Sequence, residues 1–491
     1  MDGHTSPQRK LVPGSDASSD ASGAECHSIW KQVLGSVVVA TVTLSYSCLL
    51  GFGSILLGQL DEPGSTVLVS DRQRPWLMSG AYVGSVIGCV LATFLAKTFG
   101  PSRIMFWHTV PNALGWGLQA LVPGFWPLLA GRFVCGLACG VCVSSAQIYI
   151  SETSSPRVRG VLLILPETFA TTGLLMCYML GLLLRWQLVA IICGLVPNLV
   201  IFLGFLKLPE SPTWLVSKHR LAPAARSLLF FHGSRFEADA QVQQILAGLE
   251  QTKMSVRQTL GLMRHADYLR PVLIIALQMT ILNFSGINAM FGYAVVIFKL
   301  ARTGINAYQC AMVLAAVRLL CNLFSTSLID RLGRRALISI SGAFCTISLA
   351  VIGAYFFVRQ QDEELVQDLH WLPLASMIVT ISSYSVGIGP ISWVIFGEML
   401  PSSVRELYGS IIIIFWSVTL FTILQVFPDL TRLLGNHGTF WLFSGVCALQ
   451  VLFACFVIPE TRLRTLEDIQ HEHFVAKKTE AERGVARTAA L

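Results

Sequence analysis

Charged residues are scarce in this chain of 491 residues, where Asp, Glu, Lys and Arg together account for 13%. Soluble domains carry about 25%. Hydrophobic residues account for 54%, and the mean hydropathy is +0.63. These values exclude an ordinary water-soluble globular protein and indicate that most of the chain lies in a lipid bilayer. The net charge of +7 does not call for nucleic acid as a partner, because basic loops explain it.

The sequence also lacks the signals of several other classes of protein. Residues 1–28 contain no apolar core preceded by positive charge, so we expect no cleavable signal peptide. The 13 cysteines lie mostly in apolar stretches without metal-ligand spacing, and we interpret them as small packing residues. A nucleophile, a base and oxyanion donors do not occur as a set. We therefore predict neither an enzyme nor a bound metal or cofactor.

Long apolar runs dominate what is present. With a window suited to about 20 residues, the hydropathy predicts twelve membrane-spanning helices, so the fold class is an all-α membrane protein. We number them span 1 to span 12 in chain order, and they cover residues 34–60, 76–96, 104–122, 126–149, 161–183, 187–208, 271–298, 306–329, 336–358, 371–397, 407–427 and 438–458.

Basic residues indicate the orientation of the spans. Lys97, Arg103, Arg157 and the basic stretch 207–270 fall in gaps on the side of the N-terminus. The other gaps carry acids, such as the run "QDEEL" at 361–365. Because positive charge is retained on the cytoplasmic side, we expect both termini in the cytoplasm.

Internal repeats divide the chain into two halves. "ETSSPRVR" at 152–159 matches "EMLPSSVR" at 398–405, and "PES" at 209–211 matches "PET" at 459–461. "KTFGPS" at 97–102 matches "DRLGRR" at 330–335 only in its glycine. The members of each pair are roughly 230 to 250 residues apart, which indicates a parallel repeat of two six-helix halves.

These repeats set the expected domain boundaries. We expect a disordered cytoplasmic N-terminus (1–32), an N-terminal half (33–208), cytoplasmic linker helices (209–270), a C-terminal half (271–458) and a cytoplasmic tail (459–491).

Acids recur beside arginines at the repeated positions. Opposite charges at the ends of two halves can pair when one side of the bundle closes, and they must separate when it opens. We therefore predict a cytoplasmic gate formed by Glu152, Arg159, Glu210, Asp330, Arg331, Arg334, Arg335, Glu398, Arg405 and Glu460. In the first half Lys97, Pro101 and Ser102 replace the acid and the arginines of "DRLGRR". A weaker cytoplasmic contact and a preference for inward-open states are expected, and divergence without functional consequence is the alternative.

Several motifs occur in an order that is typical of one family: "GRFVCGLACG" at 131–140, "YISETSSPRVRG" at 149–160, "PESPTWL" at 209–215, "SGINAMFGY" at 285–293, "GIGPISW" at 387–393 and "PETRLRTLEDI" at 459–469. On these motifs, residues 33–470 resemble the sugar porters of the major facilitator superfamily, most closely the insect facilitated trehalose and hexose transporters. The resemblance implies two six-helix halves, a sugar bound between them, transport by alternating access without a coupled ion, and a place in the cell membrane.

The resemblance also implies the residues of a sugar site. Asn288 and Trp393 match sugar contacts, Tyr293 matches an aromatic residue that closes the site from outside, and Trp416 keeps the aromatic residue of span 11. Independently, the glycines within spans 7 and 10 indicate broken helices. Their free backbone groups are tolerated only where protein or a water-filled cavity satisfies them.

Other positions depart from the family's pattern. Leu282 and Asn283 stand where relatives carry two glutamines, and Phe415 stands where they carry asparagine; we keep Asn283 as a candidate site residue. Glu167 replaces a glutamine in span 5, and Arg318 replaces an asparagine in span 8. An unpaired arginine at the centre of a membrane helix costs roughly 2.5–3.5 kcal/mol, so Arg318 should have a partner.

The positions of Glu167 and Arg318 along their helices make them candidates for one ion pair. Glu167 follows Arg159 by eight residues, and Arg318 precedes Asp330 by twelve. At 1.5 Å per residue they lie roughly 12 and 18 Å from the helix ends, which is near the middle of the bilayer. We predict that they pair across the space between the halves.

Three functions are compatible with this pair. It is structural in an ordinary sugar facilitator, or Arg318 binds an anionic substrate, or Glu167 exchanges protons. An adjacent Arg318 would hold Glu167 ionised, which disfavours the third. A non-transporting sugar sensor is a further alternative, disfavoured by the short stretch after "PETR". The expected partners are a small-molecule substrate and membrane lipid, and the sequence does not indicate an oligomeric state.

Overall fold

The computed structural model describes residues 15–62, 67–233, 235–251, 261, 266–399 and 405–458. Within these ranges the regular structure is helical, and no strand occurs. The long apolar runs found in the sequence explain this, because a helix satisfies all of its backbone groups within one segment, as lipid requires.

All twelve predicted spans are present, some as one helix and some as two or three. Their helices are Ser15–Leu60 (span 1), Arg74–Phe99 (2), Pro101–Trp107 and Thr109–Leu121 (3), Phe125–Thr153 (4), Pro156–Leu162 and Leu165–Leu183 (5), Trp186–Phe205 (6), Ala266–Phe284, Ile287–Gly292 and Ala294–Ala301 (7), Ala307–Leu332 (8), Arg334–Gln361 (9), Leu372–Val386 and Ile388–Met399 (10), and Arg405–Phe456 (11 and 12).

Ten stretches of the described chain are long and apolar enough by themselves to cross a bilayer. Span 3 is not among them, because it is interrupted at His108 into helices of 7 and 13 residues. Spans 11 and 12 count as one, because they form a helix of 52 residues that bends at Gly435 (φ 71°, ψ 170°). A straight helix of that length would be about 78 Å long, more than twice the thickness of the hydrocarbon core, so the chain folds back at Gly435.

Span 1 begins earlier than expected. We predicted disorder over 1–32, but the helix starts at Ser15, so this prediction is wrong for the described part of that segment. The hydroxyl of Ser28 and the amide of Gln32 both donate to the carbonyl of Phe231, the latter at 3.0 Å. These bonds hold the start of span 1 against the segment between the halves.

Close packing in the N-terminal half depends on glycine. A Cβ on Gly136 of span 4 would lie 1.7 Å from the carbonyl oxygen of Ala81, and a Cβ on Gly84 of span 2 would lie 2.1 Å from that of Phe133. No side chain fits at such distances. Small residues therefore let spans 2 and 4 approach backbone to backbone, as is common in membrane helices.

The described part of the segment between the halves contains the helices Pro212–Ser217, Leu221–His232 and Arg235–Gln251. They bury a small core of their own that includes Leu215, Val216 and Leu228. The chain enters span 1 and leaves span 12 on the side of the bundle where these helices lie. We call this side the terminal face and the other side the opposite face.

Candidate functional site

A charged pair joins the two halves near the middle of the spans. Nη2 of Arg318 in span 8 lies 3.1 Å from Oε1 of Glu167 in span 5. The predicted pairing is therefore confirmed. The side chain of Arg318 is 13% exposed and that of Glu167 is 43% exposed, so the carboxylate is the more accessible of the two charges.

Aromatic rings hold the guanidinium of Arg318 in place. Its central carbon lies 5.0 Å from the ring centroid of Phe291 in span 7 and 5.8 Å from that of Tyr384 in span 10. Tyr178 of span 5 donates a hydrogen bond of 2.5 Å to the carbonyl of Phe291. Such contacts favour a cation that is removed from water. Arg318 thus connects span 8 with spans 5, 7 and 10.

A second polar contact lies beside the ion pair. The amide of Asn322, one turn along span 8 from Arg318, donates 2.8 Å to the hydroxyl of Thr171 in span 5. Both side chains are buried. Spans 5 and 8 are therefore held together by two successive polar contacts.

Span 7 is broken at the glycine that the sequence suggested. Gly286 has φ 82° and ψ −4°, and a Cβ there would lie 2.2 Å from the ring of Phe443. Glycine alone fits both constraints. The amide of Asn288 donates 3.0 Å across this break to the oxygen of Asn283.

Asn283 also binds span 11. Its amide donates 3.1 Å to the carbonyl of Trp416 and 2.7 Å to the hydroxyl of Thr419. Asn283 is fully buried, whereas Asn288 is only partly buried. Among the two candidate asparagines, Asn288 is thus the one placed to contact a solute, and Asn283 positions it.

Span 10 is broken at Gly387, as its sequence predicted. The second piece of this span carries Trp393, whose ring lies 5.5 Å from that of Trp416 at 66°. Trp393 is 37% exposed. The buried indole N–H of Trp416 has no acceptor in the described part of the chain. Together they offer an accessible aromatic face and one hydrogen-bond donor.

Tyr293 connects span 7 with span 11. It stands between two short helices of span 7, and its hydroxyl donates 2.8 Å to the carbonyl of Leu424 in span 11. Its ring stacks on Phe427 at 4.8 Å and 27°. The side chain is buried, and the closing role that the resemblance implies for it stays a prediction.

A buried network that we did not predict supports the broken spans. Gln278 of span 7 donates 2.8 Å to the hydroxyl of Ser392 in span 10 and accepts at 2.9 Å from Gln450 in span 12. All three side chains are buried. Two glutamines in apolar spans were the available sequence signal, because an amide in lipid needs a partner.

At the opposite face a second charged contact joins the halves, also without having been predicted. Glu62, at the end of span 1, accepts from Lys299 at 3.2 Å and from the hydroxyl of Tyr308 at 2.7 Å. Lys299 also donates 2.6 Å to the carbonyl of Gly58. We call Glu62, Lys299 and Tyr308 the opposite-face latch. Their charges at span ends were visible in the sequence, but their proximity was not.

The predicted gate residues of the first half bind within their own half or its adjoining segment. Ser211 donates to Glu152, and Nη2 of Arg159 donates 3.1 Å to the carbonyl of Ser154. Glu210 accepts from the backbone N–H of Ser102 at 2.8 Å, of Arg103 at 3.3 Å and of Ser211 at 3.0 Å. Burial raises the pKa of Glu210 above its usual value, and these backbone N–H groups oppose that effect.

In the second half, Nη2 of Arg334 lies 2.9 Å from Oε1 of Glu398, and Arg335 donates to the carbonyl of Cys455. The side chains of the predicted gate residues Asp330, Arg331 and Arg405, and the whole of Glu460, lie outside the described residues. Among the described side chains, the charged contacts given above that join the two halves lie at the middle of the spans and at the opposite face. This is an arrangement closed on the opposite side.

Three cysteines that we interpreted as unrelated packing residues lie together. The Sγ atoms of Cys48, Cys177 and Cys193, from spans 1, 5 and 6, are within 4.8 Å of one another. Cys48 donates to the carbonyl of Gly173, and Cys177 to that of Cys48. These hydrogen bonds between spans support the packing role, although sequence spacing did not reveal the cluster.

Comparison with known proteins identifies the family of this chain. A family model described as sugar (and other) transporter matches residues 32–473. The facilitated trehalose transporter Tret1 of Culex quinquefasciatus is 31% identical over 446 residues, which cover 89% of this chain and 86% of that protein. Tret1 of Aedes aegypti is 32% identical over 452 residues, which cover 90% of this chain but 55% of that protein. The chain thus spans about half the length of the first curated relatives.

Solved structures with this fold include the xylose transporter XylE from E. coli. Its inward-open form matches with a TM-score of 0.70 and 18% identity, over 90% of this chain and 98% of that one. Its partially occluded inward-open form gives 0.71 and 18%, over 87% and 99%. At this identity the likeness concerns the fold alone.

Proposed function

Because this chain belongs to the sugar transporter family, we propose that it is a membrane carrier for a neutral sugar, trehalose or a hexose. The sugar binds between the two halves, near Glu167, Asn288 and Trp393, and crosses by alternating access without a coupled ion. Two curated relatives that align with about 90% of this chain and most of their own length are facilitated trehalose transporters, which supports this class of substrate.

The observation that carries the proposal is the distribution of charge at the ion pair. Arg318 is packed between two rings and faces Glu167, so the two formal charges cancel. A neutral solute therefore meets no uncompensated charge. The more exposed carboxylate of Glu167 can accept hydrogen bonds from hydroxyl groups, and the face of Trp393 can contact the C–H surface of a sugar ring.

An anionic substrate would face two obstacles at this site. It would have to compete with Glu167 for Arg318 and draw the guanidinium from between Phe291 and Tyr384. The cost of breaking a partly buried pair opposes this. Proton exchange at Glu167 would instead couple sugar uptake to a proton gradient, and a sensor would bind sugar without transporting it. A single uptake experiment separates these functions.

We further propose that the terminal face is cytoplasmic and that the protein lies in the cell membrane. The lysines and arginines of the gaps on this face, such as Lys97 and Arg103, support the orientation. With this orientation the described arrangement is closed on the outside, and the weaker first-half gate motif favours such a state. Glu152, Arg159, Glu210, Arg334 and Glu398 would then exchange partners when the cytoplasmic side closes.

The test is uptake into proteoliposomes. Labelled trehalose, glucose and a small organic acid are each offered with and without an inward proton gradient, and empty liposomes give the background. We expect sugar uptake that the gradient does not change. Uptake of the acid alone would make Arg318 the counter-charge of the substrate. Sugar uptake that requires the gradient would assign proton exchange to Glu167, and binding without uptake would indicate a sensor.

A further inference from the structure

A cavity of about 320 Å³ opens at the opposite face, away from the space between the halves. Every residue that lines it belongs to the C-terminal half. Its polar lining consists of Arg302, Arg359, Gln360, Glu363, Asn436 and His437, and its apolar lining of Leu300 and Phe356. We call it the arginine pocket. Neither the sugar site nor the opposite-face latch uses its polar residues.

Two guanidinium groups converge in the arginine pocket. Nη1 of Arg302 lies 2.9 Å from Oε1 of Glu363, and Nη2 of Arg359 lies 3.4 Å from the same oxygen. Nη1 of Arg359 donates 2.5 Å to the carbonyl of Leu300. Arg359 is only 15% exposed and therefore fixed, whereas Arg302 is 73% exposed. Two cations share one carboxylate, so the pocket keeps a positive charge.

The backbone holds Arg302 in an uncommon conformation. Its φ of 49° and ψ of 53° lie in the left-handed region, where a residue with a side chain costs roughly 1–2 kcal/mol. Arg302 follows the last helix of span 7, Ala294–Ala301, and ends it in this conformation. Its exposed side chain lines the cavity, as do those of Gln360 and Asn436.

The surface beside the arginine pocket is apolar and aromatic. The ring of His437 lies 5.5 Å from that of Trp441 and 5.4 Å from that of Phe357, and Trp441 and Phe357 are both exposed. Leu300 is exposed at the other edge. Exposed aromatic residues at the ends of membrane spans are typical of the level of lipid headgroups.

We propose that the arginine pocket binds the phosphate of a phospholipid headgroup from the leaflet at the opposite face. The two guanidinium groups supply charge-assisted hydrogen bonds to the phosphate oxygens, and the amides of Gln360 and Asn436 add neutral donors. The acyl chains lie against the exposed Trp441 and Phe357.

The test is lipid retention by the full-length protein in native mass spectrometry. Purified protein is titrated with phosphatidylglycerol, with phosphatidylcholine and with inorganic phosphate, and the bound fraction is measured for each. The variant Arg302→Gln removes the positive charge of the more exposed arginine. The double variant Arg302→Gln with Arg359→Gln removes both positive charges of the pocket. Arg185→Gln is the matched control, because Arg185 is exposed on the same face but does not line the pocket.

We expect one phosphatidylglycerol to bind more tightly than phosphatidylcholine, with its Kd raised roughly tenfold by Arg302→Gln and more by the double change. Arg185→Gln should leave the Kd unchanged. Equal effects in Arg185→Gln and Arg302→Gln, or none in either, would overturn the proposal. So would inorganic phosphate that displaces the lipid at millimolar concentration, because the site would then belong to a soluble anion. The readout is independent of sugar transport.

Discussion

Charged side chains meet across the two halves at the opposite face, where Glu62 lies 3.2 Å from Lys299, whereas at the terminal face Arg334 and Glu398 pair 2.9 Å apart within one half. For the described side chains, the difference indicates a bundle that is closed at the opposite face. A carrier that works by alternating access must lose the first set of contacts and form new ones at the other end. The Glu167–Arg318 pair lies between these two ends.

The terminal face also shows how far the two halves repeat each other. Gly100 (φ 91°, ψ 152°) and Gly333 (φ 84°, ψ 159°) have nearly the same backbone conformation. After Gly100, however, the carboxylate of Glu210 accepts a hydrogen bond from the backbone N–H of Ser102. After Gly333, the guanidinium of Arg334 donates to the carboxylate of Glu398 instead. The backbone conformation is repeated in the two halves, but the charged residues around it differ. The regions around Gly100 and Gly333 should therefore contribute unequally to any closure at this face.

The largest effect is expected at the pair between the two faces. Arg318→Asn leaves Glu167 without its cation, and we expect a loss of about 1–3 kcal/mol in the free energy of unfolding together with most of the uptake. Adding Glu167→Gln removes the unpaired charge, so the double variant should recover at least half of that stability. Melting in detergent and uptake in proteoliposomes are the two measurements.

Equal damage in the single and the double variant would contradict this account of the pair. Asn322→Ala is a useful reference, because it removes the neighbouring contact with Thr171 without exposing a charge. It should lower the melting temperature less than Arg318→Asn does.

The second largest effect is expected at the opposite face, where charged side chains join the two halves. Glu62→Gln removes the charge of the opposite-face latch, and we expect a shift of about 1 kcal/mol, or roughly fivefold, toward a state open on that side. The measurement is the rate at which an impermeant maleimide modifies Val296→Cys, because Val296 lines a small cavity between the halves at the opposite face.

Glu363→Gln is the control for this experiment. It removes a carboxylate at the same face whose partners, Arg302 and Arg359, lie in one half. The modification rate should therefore stay at the wild-type value. If both variants accelerate modification equally, the latch does not hold the halves together.

A smaller effect is expected at the terminal face. Arg334→Gln weakens a contact within the C-terminal half, so the free energy of unfolding should fall by about 0.5–1 kcal/mol. The rate of Val296→Cys modification should remain within about twofold of its starting value. A change in that rate as large as the one produced by Glu62→Gln would show that Arg334 joins the halves in this state.

The smallest effect concerns Glu210 and pH. Burial raises the pKa of Glu210 above its usual value of 4.5, so folding favours the protonated acid. Its contribution is full below the unfolded pKa and is lost as the pH rises through the folded pKa. The melting temperature of the wild type, compared with that of Glu210→Gln, should therefore fall as the pH rises above the usual glutamate pKa of 4.5. A constant difference over this range would contradict the assignment.

Much of the architecture follows from the sequence because a chain segment in lipid must satisfy its own backbone hydrogen bonds, which long apolar helices do. Hydropathy located all twelve spans, and Gly286 and Gly387 marked the breaks in spans 7 and 10. The pairing of Glu167 with Arg318 could be predicted from depth alone, since the rise of a helix fixes how far each charge lies from its end. A buried charge then needs a partner at the same depth.

Other features could not be predicted because they depend on which spans become neighbours. Glu62 is 237 residues from Lys299 and 246 residues from Tyr308 along the chain, and no local pattern links it to either. Asn283 and Asn288 each carried a sequence argument for contact with a sugar. The break between them instead allows the two side chains to bind each other, so that Asn283 becomes a positioning residue.

The central claim is that the two halves carry a neutral sugar by exchanging these contacts, and counterflow tests it most directly. Proteoliposomes are loaded with unlabelled trehalose or glucose, diluted into a trace of the labelled sugar, and followed without a proton gradient. We predict a transient accumulation of label above its equilibrium level, which Arg318→Asn abolishes. Label that never exceeds equilibrium, with protein that is folded and binds the sugar, would contradict the account.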